Sequence, residues 1–352
     1  MEFINSTSPA PDMRADIISE TALWILAVTV RVCLSTVFSV SAFITNIINF
    51  IVFKRMSINE SAKESFLILS IADGTVGFLG TIAGVCNGLR YLASGQVQGS
   101  MYALYILLLA VATVPSMTSL LSTTVLAVVR CCSVVLPLRV KTLFTARRQR
   151  IFILSATAIL IGTTTYALTG TKINIAPNPN TNVSQLQLIF HPEYVQRARY
   201  SDIYRGTVFY LSFFIVTICL LFMIIALKRS SRFRNRSQLG KEKNIRDSTN
   251  LSTDSLQNSK ASSREVQVIK VVILVSTVFL ACNAPAMVAS ILRQTVPGLN
   301  NVGTYRLSYD VLMIFVEAFL LLNFTLNIVV YLNYNTIYRT TFLDLFGKKR
   351  GR

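Results

Sequence analysis

Seven long apolar blocks divide the chain, and each is long enough to cross a bilayer as a helix. The hydrocarbon core of a membrane is about 30 Å thick, which a helix of roughly 20 apolar residues spans. No period-2 pattern indicates a barrel, and a lipid-exposed segment must satisfy its own backbone hydrogen bonds. The sequence therefore predicts an all-α membrane protein, a seven-transmembrane helix bundle. The blocks are Val32–Phe53, Ser65–Leu89, the later part of Tyr91–Val129, Ile151–Thr171, Gly206–Leu227, Val271–Leu292 and Val311–Tyr338.

The composition agrees with a membrane protein. Of the 352 residues, 52% are hydrophobic and only 14% are charged, whereas soluble domains carry about 25% charged residues. The net charge of +18 is also compatible with nucleic-acid binding, but such proteins carry their basic residues on a soluble face. Here Lys and Arg lie between the apolar blocks, so we expect membrane lipid and no nucleic acid as a partner.

The distribution of Lys and Arg predicts the orientation, because cytoplasmic loops carry the excess of positive charge. With the amino terminus outside, the cytoplasmic segments hold 24 of these residues and the outer segments hold 8. We therefore expect a multi-pass plasma-membrane protein whose amino terminus lies outside. Its predicted parts are an extracellular tail (1–24), a seven-helix domain (25–335) and an amphipathic helix with a basic tail (336–352).

Three smaller features follow from this topology. The polar segment 228–265 lacks apolar periodicity, which predicts a flexible cytoplasmic loop. The glycosylation sequons at Asn5 and Asn182 face outside and predict a glycoprotein, although such short patterns also arise by chance. All six cysteines lie in or beside the apolar blocks, which argues against an extracellular disulfide. Cys131 and Cys132, near the inner surface, are either palmitoylated or inert buried thiols.

Polar side chains inside the apolar blocks are the candidate functional residues, because such residues are rare in membranes and usually face the interior of a bundle. Asp73 is the only carboxylate of the second block, and Ser119 lies in the third. Asn323 and Asn327 are four residues apart and share one helix face. One carboxylate with several neutral oxygens is a set that a hard cation prefers; a structural polar cluster joined by water is the alternative.

Several motifs occur in a characteristic order along residues 25–346. With them the chain resembles the rhodopsin-like (class A) G-protein-coupled receptors. Within that family, the run from Arg130 to Lys141 is most similar to chemosensory receptors of molluscs. The motifs are Asn46, Leu69–Asp73, Arg130 with Pro137–Leu138, Cys282–Pro285, Asn327–Tyr331, and Tyr338–Arg339 with Phe342 in a short amphipathic helix.

The resemblance implies that the protein activates a cytosolic heterotrimeric G protein. It implies that Arg130 meets the G protein when the helices open, and that Pro285 kinks the sixth span, because proline removes one backbone hydrogen bond. It further implies that Asn327 and Tyr331 form a switch at the inner end of the seventh span. A sodium ion that favours the resting state is implied at Asp73, Ser119, Asn323 and Asn327.

The chain also departs from the family pattern. Val129 stands where an acidic residue usually precedes the arginine, Asn283 stands in place of a tryptophan, and Ile328 in place of a proline. A neighbouring acid stabilises the arginine in its resting pose, and a valine cannot. We therefore hypothesise that the resting state is less favoured and that basal signalling is raised.

The ligand class is narrowed by residues that are missing. Ala112 stands where amine receptors of the family carry Asp, and residues 307–334 contain no Lys that retinal would need. Glu317, about 15 Å further out than Asn327, either contacts a cationic ligand group or forms an ion pair with Arg31. The remaining ligands are a small molecule or a short peptide. Further candidates for the pocket are Ser116, Met287 and Ser290.

Two other functional classes fit the sequence less well. A small ion-coupled transporter or channel would place Asp73 and Glu317 along a permeation path, but transporters tend to contain internal repeats, and no convincing repeat is visible. We do not expect an enzyme, since the single histidine, His191, lies in a predicted outer loop and no nucleophile–base pair is apparent.

Overall fold

The computed structural model describes residues 19–57, 60–92, 96–135, 144–177, 184–242, 253–299 and 303–347. Residues 1–18 of the predicted tail, both sequons at Asn5 and Asn182, and the basic tail after 347 lie outside this part of the chain. The helices are α1 (Glu20–Arg55), α2 (Glu60–Leu92), α3 (Gln96–Val135), α4 (Ala146–Leu168), α5 (Pro192–Glu242), α6 (Thr253–Thr295), α7 (Arg306–Tyr334) and α8 (Thr336–Phe346). The strands are β1 (Thr171–Pro177) and β2 (Ser184–Phe190).

Each of α1 to α7 contains a segment that is long and apolar enough to cross a membrane. The short α8 follows α7 directly, and the side chain of Asn335 caps it by accepting a hydrogen bond from the backbone N–H of Tyr338 at 3.1 Å. The predicted seven-helix bundle with a carboxyl-terminal helix is therefore confirmed.

The segment 228–265 differs from the predicted flexible loop. Helix α5 continues to Glu242 and α6 begins at Thr253, while residues 243–252 lie outside the described ranges. The apolar spans explain the difference: a helix that already exists is extended residue by residue without a new nucleation step. Apolar periodicity is therefore not needed for a polar extension to be helical.

A two-stranded antiparallel sheet joins α4 to α5, and the sequence analysis did not predict it. β1 and β2 pair in register from Thr171 opposite Phe190 to Pro177 opposite Ser184. The backbone N–H of Leu186 donates to the Ser100 hydroxyl of α3 at 3.1 Å. The hairpin is thus attached to the amino-terminal end of α3.

Helices α1 and α2 approach closely because small residues of α2 face α1. A Cβ atom on Gly77 would overlap the backbone of Phe43, and one on Gly84 would overlap the Thr36 hydroxyl. α1 also widens into π-helical turns over Ala27–Leu34, a local irregularity that is often found at functional sites. Arg31 lies within these turns.

The largest cluster of buried apolar side chains reaches one end of the bundle. Arg130 lies near the carboxyl-terminal end of α3, and this end of the bundle is called the Arg130 end. The opposite end, which contains Arg31 and Glu317, is called the Glu317 end. The largest buried cluster includes Phe53, Leu126 and Met223 and extends to Tyr338 of α8. This end of the bundle therefore has a continuous apolar core that includes residues of α8.

Candidate functional site

A cavity of about 260 Å³ lies between α3, α5, α6 and α7. The helical repeat explains which residues line it, because residues three and four apart share one helix face. On α6 the lining residues are Phe279, Asn283, Ala286 and Ser290, and on α5 they include Arg205, Phe209 and Tyr210. Aromatic walls with a few polar groups are typical of small-molecule sites.

Two of the four predicted pocket residues line this cavity, namely Ser116 and Ser290. The Ser290 hydroxyl forms a hydrogen bond with the Tyr210 hydroxyl, which joins α6 to α5. Met287 is half-buried one position beyond Ala286, and neither Met287 nor Glu317 is among the lining residues.

Glu317 is bound to Arg31 of α1 by two hydrogen bonds. The Arg31 Nε atom lies 2.8 Å from Oε2, and Nη2 lies 3.0 Å from Oε1. The side chains are 24% and 32% exposed, so the pair is only partly hydrated. Such a two-point Arg–carboxylate contact is strong and fixes the geometry of both groups. It fastens α1 to α7 at the Glu317 end.

Asp73 is the centre of a polar network in the middle of the bundle. Its carboxyl group is fully buried; Oδ1 accepts a hydrogen bond from the Ser119 hydroxyl, and Oδ2 accepts one from Asn327 Nδ2 at 2.9 Å. The structure therefore brings three of the four predicted sodium ligands together, one each from α2, α3 and α7. Asn323, the fourth, lines the cavity together with Ser119.

A second polar chain links α8, α1 and α7. The Tyr338 hydroxyl donates to Asn49 Oδ1 at 2.6 Å, and Asn49 Nδ2 donates to Asn46 Oδ1 at 3.1 Å. Asn46 Nδ2 donates in turn to the backbone carbonyl of Phe324 at 2.9 Å. Burial raises the pKa of the Tyr338 hydroxyl, so the group keeps its proton and remains a donor.

The predicted switch residues occupy different surroundings. Tyr331 is 1% exposed and contacts the rings of Phe53, Phe66 and Tyr338 at centroid distances of 5.0, 5.6 and 5.3 Å. Within the described part of the chain its hydroxyl has no hydrogen-bond partner. Arg130 is half-buried at the end of α3 that adjoins the large apolar cluster.

Pro285 lies inside α6, two residues after Asn283 and one before Ala286, both of which line the cavity. A proline has no N–H to donate, so the carbonyl of Ala281 loses its helical partner at this point. Pro115 of α3 is a second proline within a helix, and it precedes the lining residue Ser116. Both helices thus lack one backbone hydrogen bond beside the cavity.

Sequence reasoning missed Arg205, Phe209 and Tyr210 as residues of the site. The signal was present, because Arg205 immediately precedes the apolar block of α5 and Phe209 follows four residues later on the same face. It also missed Asn49, whose partner Tyr338 is 289 residues away. That pairing depends on how α8 folds back against α1. The residue pattern within α1 does not predict it.

Comparison with known proteins identifies the family of this chain. The family described as "7 transmembrane receptor (rhodopsin family)" matches residues 45–331, and no curated protein matches the chain. The crystal structure of squid rhodopsin is similar, with a TM-score of 0.59 and 14% sequence identity over 95% of this chain and 87% of the squid chain. That likeness concerns the fold alone, whereas the family match covers most of the sequence. The chain belongs to the rhodopsin family of seven-transmembrane receptors.

Proposed function

We propose that this protein is a plasma-membrane receptor that binds a small molecule from outside and activates a cytosolic heterotrimeric G protein. In this proposal the Arg130 end faces the cytosol and the Glu317 end faces outside, in keeping with the 24 basic residues of one side and the 8 of the other. The cavity volume of about 260 Å³ favours a small molecule over a peptide, because drug-sized ligands occupy about 300–1,000 Å³.

The observation that carries the proposal is the shared wall between the cavity and the Asp73 network. Ser119 lines the cavity and donates to Asp73, and Asp73 also accepts from Asn327 of α7. A ligand that displaces Ser119 therefore changes a contact among three helices. A ligand that binds one arrangement of these helices more tightly shifts the population toward it.

The proposed switch consists of four residues: Arg130, Pro285, Asn327 and Tyr331. The missing backbone bond at Pro285 lies beside the cavity, and this suits α6 as the helix that swings. The Tyr331 hydroxyl is buried without a partner among the described residues, which is a cost that a rearranged state relieves by giving it one. Rotation of α7 would at the same time move Asn327 relative to Asp73.

The residues around Asp73 fit a sodium ion, and we propose Asp73, Ser119, Asn323 and Asn327 as its ligands. Asp73 is fully buried, and no Lys or Arg within the described ranges forms an ion pair with it. A buried carboxylate without a cation is costly in its charged form. The ion supplies the compensating charge, while Ser119 and the two asparagines supply neutral oxygens.

The charged pair at the Glu317 end has a structural role in this proposal. Since both oxygens of Glu317 already accept hydrogen bonds from Arg31, we assign Glu317 to holding α1 against α7. Ser116 and Ser290 are the proposed ligand contacts. Met287 has no support from the residues that line the cavity.

A chemosensory role is the finer part of the proposal. It rests on the run from Arg130 to Lys141, of which residues 136–141 lie outside the described structure, including Pro137 and Leu138. The role predicts that the ligand is an environmental small molecule rather than a circulating hormone. Screening the expressed receptor against odorants, amino acids and short peptides tests it.

The test of signalling is nucleotide exchange. Purified receptor in lipid nanodiscs is mixed with G proteins of each class, and GTP uptake is measured with and without candidate ligands. We expect exchange with at least one class, and its loss in Arg130→Ala. If no class responds but the same protein in sealed liposomes supports ion flux, the transporter or channel alternative replaces the receptor.

A further inference from the structure

We propose that the cavity between α3, α5, α6 and α7 recognises a small organic acid, a molecule with one carboxylate on an apolar or aromatic body. The inference rests on the proposed function for the choice of this cavity as the ligand site, and it adds the chemical class of the ligand. The evidence for this ligand class comes from Arg205 and its partner Asp202, from the aromatic lining residues, and from the positions of the carboxylates in the bundle.

Arg205 is the only charged residue among the described residues that line the cavity. Its Nη2 donates to Asp202, three residues earlier; the Arg205 side chain is 30% exposed and the Asp202 side chain is 61% exposed. Water at the exposed Asp202 carboxylate screens this pair, so it contributes little. The guanidinium has five N–H donors in a planar fork, so a carboxylate inside the cavity can bind it through two parallel hydrogen bonds.

The bundle offers no comparable partner for a cationic ligand. No carboxylate is among the described lining residues. Glu317 lies outside the lining and is engaged by Arg31. Asp73 is fully buried behind Ser119, which lines the cavity and donates to it. An ammonium group in the cavity would meet the like charge of Arg205, and the acid bound to Arg205, Asp202, is exposed and does not line the cavity.

The rest of the lining suits an apolar body. Phe209, Phe279 and Phe324 contribute aromatic faces from α5, α6 and α7. Arg205 lies one turn from Phe209 on α5, so a ligand held at its carboxylate would place its body against these rings. The cavity of about 260 Å³ limits that body to fewer atoms than a typical drug carries.

Three probes with the same body and different head groups test the proposal: 3-phenylpropionate, 3-phenylpropanol and 3-phenylpropylamine. The full-length receptor in nanodiscs is titrated with each, and binding is measured by the shift in thermal unfolding and by calorimetry. We expect saturable binding of the acid, at least about tenfold weaker binding of the alcohol, and weaker binding still of the amine. Hexanoate and octanoate repeat the measurement with aliphatic bodies.

Variants of α5 identify the group responsible. Arg205→Gln is expected to weaken acid binding at least about tenfold and to remove the preference for the acid over the alcohol, while Arg205→Lys retains part of that preference. Arg199→Gln is the matched control, because Arg199 is exposed on the same helix outside the cavity. Asp202→Asn releases the guanidinium and should leave acid binding unchanged or stronger.

The outcomes separate this inference from the proposed function. The inference is overturned by equal or tighter binding of the amine, by acid binding that Arg205→Gln leaves intact, or by no saturable binding of any of the three acids. Nucleotide exchange is read separately. Acid binding that triggers no exchange with any G protein contradicts the proposed function alone, and exchange driven only by non-acidic ligands contradicts this inference alone.

Discussion

The two ends of the bundle are stabilised in different ways. At the Arg130 end, four aromatic rings contact one another, including Phe53 and Phe66 stacked at 4.7 Å, and an asparagine chain attaches α8 to α1 and α7. At the Glu317 end, the buried apolar cluster contains only Ala83, Cys86 and Tyr105 within the described ranges. There the Arg31–Glu317 pair joins the helices.

This difference shows that the two ends of one helix bundle can depend on different kinds of contact. In lipid there is little hydrophobic driving force between helices, so close packing and interhelical hydrogen bonds hold a bundle together. Where side chains interdigitate, no room remains for a ligand. At the Glu317 end, a directional ion pair joins α1 to α7 where few apolar side chains are buried together. The predictions below test this contrast.

Removing a ring from the Arg130 end should have the largest effect. Phe53→Ala leaves a void beside Phe66, Tyr331 and Tyr338, and we expect a loss of about 3–5 kcal/mol, as for other buried Phe→Ala changes. The matched variant Phe209→Ala enlarges an existing cavity and should cost about 1 kcal/mol, because fewer contacts are lost. Unfolding in detergent by denaturant measures both, and equal losses would contradict the contrast between the tightly packed rings and the cavity wall.

Breaking the ion pair at the Glu317 end should rank second. Glu317→Gln leaves the partly buried Arg31 without its counter-charge, and we expect a loss of about 1–3 kcal/mol, somewhat below the value for fully buried pairs. The double variant Arg31→Gln with Glu317→Gln should recover part of this loss, since no lone charge remains. Thermal unfolding of the single and double variants measures the coupling. Additive losses would show that the pair does not fasten α1 to α7.

Removing one hydroxyl from α8 should have a smaller effect. Tyr338→Phe keeps the ring contacts but leaves Asn49 Oδ1 buried without its donor, for which we expect about 1–2 kcal/mol. Tyr334→Phe is the control, because Tyr334 is 55% exposed. Hydrogen exchange of the α8 backbone reports the attachment directly. Exchange that is the same in the two variants would mean that the hydrogen bond does not hold α8.

Restoring an acid beside Arg130 should give the smallest energetic change and a clear functional one. Val129→Glu pairs a carboxylate with Arg130 and favours the resting state; we expect basal signalling to fall roughly two- to fivefold, which corresponds to about 0.5–1 kcal/mol. Val129→Gln has the same size without the charge and should change little. Second-messenger output without ligand is the measurement. An unchanged or higher output in Val129→Glu would contradict the hypothesis of raised basal signalling.

Much of the candidate site could be predicted from the sequence, since polar residues in apolar spans are rare enough to stand out. Asp73, Ser119 and Asn327 were identified in this way and meet in space. Arg205 is not evident from the sequence, because it lies at the edge of its apolar block and resembles an ordinary flanking charge. Whether such a residue faces a cavity or a headgroup depends on the rotation of its helix.

By itself the sequence determined the number of spans and the positions of their polar residues, because twenty apolar residues in a row have one stable arrangement in a bilayer. The tertiary structure alone decided the partners. Glu317 is bound to Arg31 and Tyr338 is bound to Asn49, although the partners lie 286 and 289 residues apart in the sequence. Arg205 lines the cavity because of how α5 is oriented. The reason is that each span forms its backbone hydrogen bonds within itself. The residue pattern that specifies a helix therefore does not specify how the helix is rotated or which helices it packs against.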